Sequence, residues 1–303
     1  MNYDFTVPKQ KKMRVIINTD AKNEADDQFA IVHHLLTPKF EIKGIIAAHF
    51  DTRPDQGKEE TMDMSYQEVK KVLSLMGEEK NYKVYKGATH AMNDEKTPVL
   101  SEGAKFIIDE ALSDDKTPLY VVFQGCLTDL AAAYLTEPKI AENLTVVWIG
   151  GGEWPVGSLE FNLWMDINAA NVVFKSDIPL WQVPFNAYQM LAVSLSELQC
   201  RVKPYGDIGN YLFQQMVDYN NENADGWPDG ESWGLGDSAT VAVLLGGSNE
   251  YEWKPAPIFS KEMFYIHGQN NRAIRVYKSI DSRFTLEDFY CKLKLSYPKN
   301  KMK

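Results

Sequence analysis

The sequence predicts an α/β protein whose mostly parallel, open sheet is covered by helices on both faces. Two observations lead there. Short, β-branched apolar runs alternate with segments of helical periodicity along most of the 303 residues. The runs are also apolar throughout, as strands covered on both faces are, and do not alternate polar with apolar. In chain order, "RVIIN" (14–18), "EIKGIIAA" (41–48), "PLYVVFQ" (118–124), "NLTVVWIG" (143–150) and "PLWQVPF" (179–185) read as strands. Residues 25–36, 62–76, 102–112 and 127–135 read as the helices between them. From about residue 186 to 260 the pattern turns irregular around "NNENADGWPDGESWGLGD", which reads as a lid or binding-loop region. The chain closes on strand-like "AIRVY" and helix-like "TLEDFYCKLKL". We expect a single domain over residues 13–303 with residues 1–12 as an N-terminal extension.

Composition narrows the function. With 44% hydrophobic residues the chain can bury a large core. A net charge of -10 argues against nucleic-acid partners and anionic membrane surfaces, both of which need clustered Lys and Arg. Three widely separated cysteines suggest neither a disulfide framework nor a zinc ribbon. No segment approaches the ~20 apolar residues of a membrane-spanning helix. "MNYDFTVPKQKKM" lacks the apolar run of a signal peptide, so a cytoplasmic protein acting on a small molecule is expected, with a homo-oligomer left open.

Four clusters carry candidate chemistry. In "RVIINTDAKNEADDQFAIVHHLL" Asp20, Asp26 and Asp27 crowd one strand-to-helix corner. One carboxylate suffices to cap the helix. Three together suit a hard cation such as Ca²⁺, which takes several oxygen ligands. In "FQGCLTDLAAAYL" Thr128 or Asp129 reads as a helix cap, with a backbone carbonyl facing the same rim as the alternative. In "SLEFNLWMDINAANVVF" Asp166 reads as a cap, while Glu160 and Asn162 are either solvated loop residues or a carboxylate–amide pair suited to sugar hydroxyls. In "SWGLGDSATVAVLLGG" Asp237 is either another cap or a fourth carboxylate on the rim.

In this order and spacing the clusters resemble the inosine–uridine nucleoside hydrolase family, over about residues 13–247. The corner is similar to that family's D-x-D-x-x-x-D-D turn, and "EIKGIIAAHFD" to its second strand. "GCLTDLA" is similar to its G-P-L-T-N-I-A, "IGGG" to its M-G-G, and "LEFNLWMDINAANVVF" to its A-E-F-N-x-x-x-D-P-E-A-A. The resemblance implies a nucleoside hydrolase-like, Rossmann-like fold and a calcium-dependent hydrolase that cleaves the N-glycosidic bond of a ribonucleoside or related ribosyl compound. It places Ca²⁺ on Asp20, Asp27, the Thr128 carbonyl and Asp237, and has Asp20 take a proton from the attacking water. It places ribose hydroxyls against Asp26, Asp51 and Asn162, with Glu160 beside them.

The sequence departs from the pattern in three places. Asn18 stands where the family's first aspartate lies, and the turn to Asp26 is two residues longer. Gly236 replaces a histidine that in many members protonates the leaving base, and "EWPVGSL" lacks an asparagine, leaving Trp154 nearby. His49 and His90 are then the rim candidates for a proton donor, and Trp227 or Trp233 for stacking on the base. The competing expectation is a non-catalytic, metal-dependent sugar- or nucleoside-binding protein of the same fold.

Overall fold

Every apolar run read as a strand pairs with its neighbours in the computed structural model, which describes residues 3–50, 58–226, 229–268 and 272–298. The strands are β1 (Met13–Thr19), β2 (Phe40–Ala47), β3 (Val84–Lys86), β4 (Leu119–Phe123), β5 (Leu144–Ile149), β6 (Leu180–Val183), β7 (Ala192–Ser194), β8 (Ser232–Gly234), β9 (Glu250–Pro255), β10 (Ile258–Phe259), β11 (Tyr265–Ile266) and β12 (Ala273–Ser279). Eight of them form the central sheet in the order β3-β2-β1-β4-β5-β6-β12-β9. Pairing is parallel throughout except between β12 and β9. The β7/β8 and β10/β11 pairs stand apart.

The helices are α1 (Asp27–Leu35), α2 (Lys58–Met76), α3 (Glu102–Ala111), α4 (Thr128–Thr136), α5 (Phe161–Met165), α6 (Ile167–Lys175), α7 (Phe185–Tyr188), α8 (Leu195–Arg201), α9 (Gly206–Glu222), α10 (Ala239–Leu245) and α11 (Ser282–Ser296). Successive β1 side chains point to opposite faces. Val15 and Ile17 join a core shared with α1, α2, α9, α10 and α11, and Ile16 joins a second core with α3, α4 and α6. All nine residues of α1 are buried, because sheet, α10 and α11 enclose it. At the start of the chain the Tyr3 hydroxyl donates to the Leu36 carbonyl at 2.7 Å.

Two expectations need correction. Residues 186–260 are not irregular: the seventeen-residue α9 lies inside them, and its Ile208, Leu212, Phe213 and Met216 recur at helical spacing on the core side. Polar residues on the outer face concealed that period. Glu160 and Asn162 do not lie in a loop, since Glu160 caps α5 and Asn162 is in its first turn.

Strand order reverses between β1 and β4, and in such sheets the connections leaving these two strands diverge to opposite faces and open a crevice at their carboxyl ends. Asp20 follows β1 and Gly125–Thr128 follow β4, so both sequence clusters meet at that crevice.

Candidate active site

Asp20 leaves β1 and lies against the β4–α4 turn. A Cβ at Gly125 would come 2.7 Å from the Asp20 Oδ1, so only glycine lets the two segments approach this closely. The turn that follows is closed by the Asn23 backbone N–H, which donates to the Asp20 carbonyl at 2.8 Å, and by Asn23 Nδ2, 3.3 Å from Asp20 Oδ2.

Neither aspartate that opens α1 is spent on capping. Asp26 occupies the cap position without a side-chain capping bond, and its Oδ2 instead accepts from the Asp237 backbone N–H at 3.1 Å. Asp27 accepts from the Thr19 hydroxyl. Asp237 is no cap either: it sits in a short 3₁₀ turn, Gly236–Ser238, and Ser238 precedes α10. One carboxylate oxygen from each of Asp26, Asp27 and Asp237 lies within 4.8 Å of the others, all three residues being buried. Desolvation, followed by the adjacent Asp26, pushes Asp27 up to about 7. Desolvation also lifts Asp26 to about 6, against backbone hydrogen bonds that pull the other way. Asp20 and Asp237 are held well above the usual carboxylate range, by desolvation first and by one another's neighbours second.

An all-oxygen, mutually repelling group of buried carboxylates is the donor set a hard divalent cation requires. Asp27 and Asp237 belong both to this group and to the ligand set the resemblance implies. Asp26, which the resemblance assigns to ribose, is drawn into the same group, and Asp20 stands beside it through its electrostatic coupling to Asp27. Thr128 opens α4 with its side chain turned into a buried network: its hydroxyl donates to Asp166 Oδ2 at 2.7 Å and lies 3.0 Å from His49 Nε2. Thr128 is fully buried and is not among the residues that line the cavity at these carboxylates. Asp51 and Trp227 lie outside the described residues.

These carboxylates floor a cavity of about 810 Å³. Glu160 and Asn162 form its next wall, held by the end of β5. Glu160 Oε2 accepts from the Gly151 and Leu163 backbone N–H groups at 2.7 and 2.9 Å, and its Oε1 from the Tyr188 hydroxyl at 2.9 Å. Desolvation still raises its pKa despite those bonds. Asn162 Nδ2 donates to the Gln124 and Ile149 carbonyls, at 3.1 and 2.9 Å. Both amide hydrogens are thereby committed, and the side-chain oxygen is what Asn162 offers a ligand. Five aromatic residues also line it, the exposed Trp164 and Phe185 together with Phe161, Tyr188 and the buried Trp233. His49 and His90 do not line the cavity, and Trp154 packs against Tyr265 at 5.0 Å.

Sequence reasoning missed many of the lining residues, among them the polar Asn23, Glu24, Gln124 and Tyr188. Asn23 and Glu24 come from the two-residue extension of the first turn, which was itself the signal. Desolvation and then Asp26 and Asp27 hold Glu24 well above its usual range. Gln124 and Tyr188 left no local signature. Gln124 is buried on the lining with its Oε1 unpaired.

A family model described as inosine-uridine preferring nucleoside hydrolase matches residues 15–280. The chain belongs to this family. It is accordingly a hydrolase acting on N-glycosyl compounds. Among curated relatives, the pyrimidine-specific ribonucleoside hydrolase RihA of Salmonella paratyphi A is 23% identical over 261 residues, covering 76% of this chain and 79% of the relative. RihA of Citrobacter koseri is also 23% identical, over 73% and 76% of the two chains. Among solved structures, a plant nucleoside hydrolase, PpNRh1, superposes with a TM-score of 0.75 at 17% identity, covering 93% of this chain and 98% of the other. A purine-preferring ribonucleoside hydrolase from Gardnerella vaginalis gives 0.74 at 19% identity with the same coverage. The nucleoside hydrolase fold is thus shared almost end to end. No helix among the described residues is long and apolar enough to cross a membrane.

Proposed function

We propose that this nucleoside hydrolase is calcium-dependent, cleaves the N-glycosidic bond of a ribonucleoside or related ribosyl compound, and uses Asp20 as the general base. The observation that carries the reading is the convergence of Asp26, Asp27 and Asp237 beside Asp20 on the floor of one cavity. The ligands proposed are Asp20, Asp27, the Thr128 carbonyl and Asp237. A Ca²⁺ held by these residues would supply a Lewis acid that makes water easier to deprotonate. Asp20 accepts the proton that water loses as its oxygen bonds to the anomeric carbon, and the glycosidic electron pair leaves with the base. Asp26 and Asn162 present acceptor oxygens to ribose hydroxyls, with Glu160 beside them and Asp51 from the segment after β2. The base lies toward the aromatic lining.

The named preferences of the relatives run from pyrimidine-specific to purine-preferring, so they leave the base open. Gly236 offers no proton donor, and the Tyr188 ring occupies the space next to it. A substrate whose leaving group is stable without protonation suits such a site, and p-nitrophenyl riboside should be cleaved much faster than inosine. Free ribose released from inosine, uridine and p-nitrophenyl riboside tests the activity. Asp20→Asn should lower turnover by about 10²–10⁴-fold while the far-UV circular dichroism stays that of wild type. Wild-type rates in that variant at saturating Ca²⁺ exclude Asp20 as the base. Failure of the wild-type protein to release ribose from any of the three excludes the substrate class.

A further inference from the structure

Position 236 is a glycine for a reason that lies in another element. Its backbone is not in the left-handed region, yet a Cβ there would sit 2.8 Å from Tyr188 Cδ2. Tyr188 ends α7, which begins two residues after β6 and therefore stands on the rim of the sheet. Its ring is packed edge-on against Phe185, with centroids 5.5 Å apart, and both line the cavity. Its hydroxyl reaches the other way, to Glu160 Oε1. The remaining partners of that carboxylate are the backbone N–H groups of Gly151, Asn162 and Leu163. Tyr188 thus meets the aromatic lining of the cavity with its ring and the Glu160 carboxylate with its hydroxyl.

We propose that Tyr188 is the specificity-determining residue of the aglycone subsite and the positioning residue for Glu160. It fills the wall that residue 236 leaves open, and planar bases pack against its ring. The inference rests on the N-riboside reading of the cavity. With the carboxylates gathered on the floor, the ribosyl group is held there and the aglycone must extend to the aromatic side, where ring area is the available contact. The size of base admitted is then set by the Tyr188 ring.

The test separates ring from hydroxyl. In Tyr188→Phe the ring stays and one charge-assisted bond to Glu160 is lost. KM should rise about tenfold or more for inosine, uridine and p-nitrophenyl riboside alike, with kcat and the preference among them retained. In Tyr188→Ala the subsite widens, and the inosine-to-uridine ratio of kcat/KM should shift toward the larger base by about tenfold. Gly236→Ala displaces the ring, so it should shift the same ratio in wild type and lower the melting temperature. In the Tyr188→Ala background it should do neither. An unchanged ratio in Tyr188→Ala, or equal effects of Gly236→Ala in both backgrounds, overturns the specificity role. Unchanged KM values in Tyr188→Phe overturn the positioning role. Those results leave p-nitrophenyl riboside hydrolysis by the wild-type protein intact. If the wild-type protein cleaves none of the three ribosides, the N-riboside reading fails and this inference fails with it.

Discussion

Asn18 is the residue at which this chain departs earliest from its family, and the structure supplies the compensation. Its Nδ2 donates to Asp129 Oδ2 at 2.9 Å, across β1 and the start of α4. Position 129 is the last of "GCLTD", and Asn18 and Asp129 share one buried amide–carboxylate bond. Asp129 is otherwise held by the Ser101 hydroxyl at 2.6 Å and the Ala88 backbone N–H at 2.8 Å. Asn18→Asp should therefore set two buried carboxylates against each other and cost about 2–4 kcal/mol. Adding Asp129→Asn should recover most of that loss. Equal urea midpoints for Asn18→Asp and wild type would show that the bond is unimportant. The same pair marks what a sequence can disclose about single residues. Asp20, Asp26, Asp27, Glu160, Asn162 and Asp237 were visible because each sits in a local motif with recognisable spacing. Asp129 looked like a cap because its partner is 111 positions away, and Tyr188 carried no sign of the glycine it excludes from substitution.

Among the elements, α1 shows how burial decides chemistry. Its last turn carries His33 and His34, both buried, and His33 Nε2 lies 2.7 Å from Asp288 Oδ2 on α11. Desolvation lowers His33 to about 4 and His34 to about 3. The unfolded chain binds protons at these positions near pH 6.5, where the folded one does not. Their contribution is therefore complete above about pH 6.5 and is lost as pH falls toward 4. In protein saturated with Ca²⁺, stability should fall by about 1.4 kcal/mol per pH unit for each such proton over that window. His33→Gln should remove one proton from the slope, read from urea midpoints between pH 7 and 5. A slope identical to wild type would mean that His33 titrates normally in the fold. At this scale six of the eight sheet strands and α1 to α4 were legible because their apolar periods are strong and their ends polar, while β3, three residues long, and the polar edge strand β9 were not. The helices α7, α8 and α9 were not, since α7 and α8, at four and seven residues, are too short to show a helical period, and polar residues outweighed four core positions in α9.

The whole molecule brings together carboxylates from both ends of the chain, Asp26 and Asp27 before α1 has formed a turn and Asp237 just ahead of α10. Without a cation this convergence opposes folding. A carboxylate whose folded pKa is raised contributes stability below its unfolded value, near 4, and loses it as pH rises through the folded value. With Asp26 near 6 and Asp27 near 7, these two aspartates should withdraw stability from the metal-free protein as pH rises from about 4 to 7, against the opposite contribution of His33 and His34. Cation binding favours the ionised forms and reverses that trend, so the stabilisation by Ca²⁺ should grow with pH across the same window and release protons on binding. At a hundredfold excess over Kd the gain is about 2.7 kcal/mol. For a chain of this size that is a rise in melting temperature of about 4 °C. Melting of chelated and Ca²⁺-replete protein at pH 5, 6, 7 and 8 gives the comparison, and calorimetry in buffers of different ionisation enthalpy counts the protons. A Ca²⁺ shift that is constant with pH would separate the cation from these aspartates. No shift at any pH, together with no divalent metal in the purified protein, would remove the metal from the site, and the repulsion among Asp20, Asp26, Asp27 and Asp237 would then have to be relieved by protonation alone.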